Sequence, residues 1–137
     1  MANRPSQIAG RWRITEMEDF DDAYINAEEK AFVRFDPDGM GEFHFGYVHG
    51  YMDCRSGQRD GKTAVEWSWD GNDEHHPAFG RGWAVLQDDS SLEGVICFHQ
   101  SDEFPFRARK WPGGKTGQNR PGIIAILSKS RVRRLGR

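Results

Sequence analysis

The chain has 137 residues, 12% of them aromatic and 16 of them glycine, enough for one domain with a proper core and too few for two. Its formal net charge of −2 hides a split, because residues 110–137 hold eight Lys and Arg and no Asp or Glu, which leaves −10 on residues 1–109. An acidic body does not attract nucleic acid unaided, and no segment approaches the ~20 apolar residues of a transmembrane helix.

The first residues, MANRPSQIAG, lack the apolar run of a signal peptide. Cys54 and Cys97 are read as free thiols, so the expected location is cytoplasmic. Eight strand-like pieces then follow, starting with GRWRITEME (10–18). The segment DFDDAYINAEE (19–29) has helical character, with Asp19, Asp21 or Asp22 as N-cap and Tyr24 and Ala27 facing the body. KAFVRF (30–35) ends at the turn DPDG (36–39), where Pro37 presets φ and Gly39 accepts a positive φ.

GEFHFGYV (41–48) alternates Phe43, Phe45 and Tyr47 onto one face. GYMDCRS (50–56) follows, and Gly46 and Gly50 leave open whether these are one bent strand or two. After the turn GQRDG (57–61), KTAVEWSWD (62–70) sets Val65, Trp67 and Trp69 inward against Glu66 and Ser68. GRGWAVLQ (80–87) and SLEGVICFH (91–99) are joined by a hairpin-length DDS, and FPFRARK (104–110) is the eighth piece.

Sequential strands with short turns predict an all-β fold: an eight-stranded antiparallel up-and-down barrel, closed to remove its edges, with one short helix after the first strand. The barrel is expected over residues 1–110 and a basic tail, flexible or docked, over 111–137.

Several motifs look like chemistry and are read as structure. DGNDEHHPAF (70–79) groups Asp70, Asp73, Glu74, His75 and His76, but adjacent histidines diverge on an extended chain, so it is read as a loop at a barrel mouth and not a metal site. DPDGMGE (36–42) lacks the spaced third ligand of a calcium loop. WPGGKTG (111–117) would need Gly at 109 to match a phosphate loop, where the chain has Arg109. No cofactor is implied. His44, His49 and His99 lie in strand-like pieces without a recognisable partner for acid–base work. The aromatic residues Trp67, Trp69, Trp83 and Phe43 either fill the barrel or line a pocket in it, with Arg81 and Glu66 as polar groups able to orient a ligand.

Gly10-Arg11-Trp12 on the first strand, with Arg107 and Arg109 on the last, resembles the lipocalin/calycin superfamily of small barrels. The resemblance implies that Trp12 plugs one end, that Arg109 packs across its indole, and that the acidic segment after it lies over a mouth. GRWRITEM lacks the fuller Gly-rich signature of the haem-binding members. The pattern GRWRITEM…VEWSWDGNDE…GRGWAVL is also similar to a group of bacterial proteins without an assigned activity, over residues 8–109.

The expected function is non-enzymatic binding of a small, partly apolar ligand inside the barrel by Trp67, Trp69, Trp83, Phe43 and Arg81. The alternatives are a solid-core protein-interaction module using its acidic surface or basic tail, and an enzyme with Glu66 or the histidines at a mouth. For the tail, docking or self-association through Ile123, Ile124, Ile126 and Leu127 is favoured over nucleic acid.

Overall fold

The computed structural model describes residues 7–111. Its elements are β1 (Gly10–Met17), α1 (Asp22–Ile25), β2 (Phe32–Phe35), β3 (Met40–Phe45), β4 (Val48–Arg59), β5 (Lys62–Asp73), β6 (His76–Leu86), β7 (Leu92–Phe98) and β8 (Glu103–Lys110). Every strand pairs antiparallel with the next, and β8 returns to β1, so the sheet is the closed eight-stranded barrel that the turn spacing predicts. Trp111 donates its backbone N–H to the Arg11 carbonyl at 3.0 Å, which carries the ladder one residue beyond the expected boundary. The expected docking of Ile123, Ile124, Ile126 and Leu127 lies outside the described residues.

Side-chain parity decides what fills the barrel. Phe43, Phe45, Val65, Trp67 and Trp69 are buried inside, while Glu66 and Ser68 are exposed and Glu42 is half-buried on the outer face. Cross-strand register sets Cys54, Trp67, Gly82 and Ile96 in one inward row. A Cβ at Gly82 would overlap the Trp67 indole, and one at Gly50 would overlap Phe43. The rings therefore occupy volume that the neighbouring strands vacate by carrying glycine. The outward positions mix charged residues such as Arg13, Glu66 and Arg109 with exposed Met40, Tyr51 and Phe79. Among the described residues no helix is long and apolar enough to cross a membrane.

Three local expectations are corrected. Tyr47 does not share a face with Phe43 and Phe45: β3 stops at Phe45, and Gly46–Tyr47 is the two-residue turn of a β3–β4 hairpin, with Gly46 at φ 58. The stretch 70–79 is not a loop, because β5 and β6 stay paired out to Asp73 and His76 and only Glu74–His75 turn. Ala27 does not face the body. Helix α1 is a single turn, capped by the Asp21 carboxylate accepting from the Tyr24 N–H at 2.9 Å; it ends at Ile25, which is fully buried, and leaves Ala27 exposed beyond it.

Candidate functional site

The end of the barrel reached by the C-terminus of β1 is closed by the segment that follows. Phe20 stacks on Tyr24 with ring centroids 4.7 Å apart and meets Phe104 at 5.2 Å. Ile25 is tied to the β3–β4 turn by the Gly46 N–H donating to its carbonyl at 2.9 Å. The acidic segment thus covers one mouth.

At the opposite end Trp12 is only 2% exposed, and its Nε1 donates to the Ile8 carbonyl at 2.7 Å. The cation over its indole is Lys110, not Arg109. Lys110 Nζ lies 4.8 Å from a Trp12 ring centroid and donates to the Ala9 carbonyl at 2.7 Å. Register is the reason: Trp12 pairs with Lys110 and Arg13 with Arg109, so Arg109 points outward, 3.6 Å from Asp89.

The pleat divides the five expected ligand residues. Phe43, Trp67 and Trp69 are inside and packed: Phe43 meets Trp69 edge-on at 5.0 Å, Trp69 meets Phe98 at 5.1 Å, and Trp67 meets Phe35 at 5.6 Å. Trp69 Nε1 donates to the Cys97 carbonyl at 3.2 Å, whereas the buried Trp67 Nε1 has no hydrogen-bond partner. Arg81 and Trp83 lie on the outer face, paired with Ser68 and Glu66, where Arg59 lies 4.1 Å over the Trp83 ring. There they line, with Glu66, Gly82 and Trp67, a groove of about 520 Å³, so three of the five meet at one site outside the barrel interior. Glu66 is outward as well, so it cannot serve as an acid or base inside the mouth.

Beside the Trp12 plug lies a cavity of about 520 Å³ that sequence reasoning missed. Ile8, Phe35, Cys54 and Val65 form its apolar wall, and Asp38 and Ser56 contribute polar groups. Phe35 backs directly onto Trp67. Burial pushes the Cys54 thiol up to about 12, with the neighbouring Asp53 and Asp36 adding to the shift, so it lines the cavity as a neutral thiol. The available signal was positional: the turn after β2 and the far end of β4 must meet at the same end of an up-and-down barrel.

A second polar cluster sits on the outer face of β2, β3 and β4. Arg34 bridges Asp36 at 2.9 Å and Glu42 at 2.8 Å, and Glu42 also hydrogen-bonds His49. Burial alone would raise the Glu42 carboxyl; the His49 hydrogen bond and the Arg34 charge outweigh it and hold the group down at about 2. His44 is buried although it faces outward. Its Nε2 stands 3.1 Å from the Gly46 carbonyl and 3.3 Å from Glu28, and Glu29 approaches its Nδ1 at 3.7 Å. Burial lowers its pKa.

Among the described residues, no group of three or more His, Cys, Asp and Glu side chains is placed to hold a metal ion. No protein-family model, curated protein or solved structure matches the chain.

Proposed function

We propose that the chain is a non-catalytic binding protein of the lipocalin/calycin kind, taking a small, partly apolar ligand at the barrel end beside Trp12. The observation that carries this reading is the cavity of about 520 Å³, apolar along Ile8, Phe35 and Val65 and edged by Asp38 and Ser56. Its size and mixed lining suit a compact ligand with one donor or cationic group. The packed rings of Phe43 and Trp69 give them a supporting role, and Trp67 stands behind Phe35 as the second layer of the wall.

The test is titration with Nile red, an uncharged apolar dye, of the native chain and of Val65→Trp, which fills the mouth. Saturable binding lost in Val65→Trp supports the reading. Equal binding by both chains overturns it.

A second reading, a solid-core module that binds another protein, is favoured by one observation. Met40, Tyr51 and Phe79, each more than half exposed, line one shallow outer groove that also holds Asp53 and Asp70. Such a groove suits a basic, apolar partner segment.

A further inference from the structure

The outer face of β8, β1 and β2 places positive charges opposite one another. Arg13 pairs with Arg109 across β1 and β8, and Arg11 pairs with Arg34 across β1 and β2. Like charges directly opposite on adjacent strands are destabilising. Arg34 is neutralised by Asp36 and Glu42, and Arg109 has one loose, half-exposed partner in Asp89. Arg11 and Arg13 make no ion pair among the described residues, and the buried Nε of Arg13 has no hydrogen-bond partner.

An aromatic platform completes the stripe. The Arg11 guanidinium lies 4.3 Å over Trp111 and that of Arg13 is 5.8 Å away, while the backbone bond from Trp111 to Arg11 fixes the indole to the sheet. Beyond Trp111, the sequence of residues 112–137 contains seven Lys and Arg and no acid.

We infer that this face binds single-stranded nucleic acid: Arg11, Arg13 and Arg109 meet successive phosphates, and the Arg11–Trp111 stack receives a base. Forked guanidiniums match phosphate geometry, and a base can stack on either plane, a combination that an acidic peptide does not use. Phosphates would also relieve the repulsion within the Arg13–Arg109 pair. The −10 charge on residues 1–109 does not forbid this: Asp36, Glu42 and Asp89, beside the stripe, are paired with arginine, and more distant acids are screened over a Debye length of ~8 Å at physiological salt.

The test is fluorescence anisotropy of a labelled single-stranded RNA with the full chain between low and physiological salt. Binding should weaken steeply with salt. Arg13→Gln/Arg109→Gln should lower affinity by about tenfold and flatten the log–log salt slope by about 1 to 2, near 0.7 for each phosphate no longer neutralised. Trp111→Ala should weaken binding several-fold, roughly 1 kcal/mol or more, and leave the slope unchanged. The double variant removes a like-charge pair, so its thermal midpoint should not fall.

No binding at low salt overturns the inference. Affinity and slope unchanged in Arg13→Gln/Arg109→Gln overturn it too, since the tail would then carry the charge alone. A polyglutamate peptide that competes as well as RNA, with Trp111→Ala indifferent to both, would reassign the face to an acidic protein partner.

Discussion

The two ends of the barrel are closed by different means. One end is covered by chain that leaves the sheet after β1, lays Phe20, Tyr24 and Ile25 across the opening, and is pinned to β3–β4 through Gly46. The other end is plugged by one indole from the wall, roofed by Lys110, with an open cavity beside it. An inserted segment can be shaped to a whole mouth, whereas a side chain closes only the area beneath it. Under the proposed binding function, the difference puts the ligand at the Trp12 end and gives the acidic segment a structural part.

The largest effect should come from the single-ring plug. Trp12→Ala should cost about 3–5 kcal/mol in urea denaturation, through loss of a buried ring and the void it leaves. A loss below about 1 kcal/mol would mean that the indole closes nothing. Ile25→Ala tests the opposite end and should cost about 2–4 kcal/mol. If the segment were a hinged lid instead of a fixed cap, the cost would be far smaller, and the Gly46 amide would exchange rapidly in the native protein.

Acid should loosen the same segment. His44 has its folded pKa lowered from 6.5, so the unfolded chain takes the proton first, and stability present above about pH 6.5 is lost as pH falls towards the folded value. Glu42, lowered from 4.5 to about 2, contributes stability that is complete above about pH 4.5 and lost as pH falls towards 2. Denaturation midpoints should therefore fall in two stages on acidification, and His44→Asn should remove the first. The smallest effects belong to the cations near the plug. Lys110→Met should cost about 0.5–1 kcal/mol, the worth of an exposed cation–π contact, and Arg109→Ala less than about 0.5 kcal/mol. The reverse order would put Arg109 back over Trp12.

Strand order, closure and the inward set Phe43, Phe45, Val65, Trp67 and Trp69 were legible because alternation in 41–45 and 62–70 is strong. Trp83 was misplaced although a signal existed: it shares parity with Arg81, and the small residues Gly80, Gly82 and Ala84 hold the alternate positions, opposite Trp69, Trp67 and Val65. Large residues on one strand facing glycine on the next is what a narrow barrel requires. The Arg109 expectation failed by one residue of register: Lys110 is the residue opposite Trp12, and Arg109 takes the outward position opposite Arg13. The cavity and the burial of His44 depend on where the turn at 36–39 and the crossing at 26–31 come to rest, which no local pattern encodes.

The fit of Gly82 beneath Trp67 has a consequence for how such a chain can change over time. Neither position can drift alone: a methyl at 82 collides with the indole, and a small residue at 67 leaves a void against 82. The two should be inherited as a pair. Among related chains, a larger side chain at 82 should accompany a smaller ring at 67, and a library randomised at both should return folded members in which the combined volume is held constant.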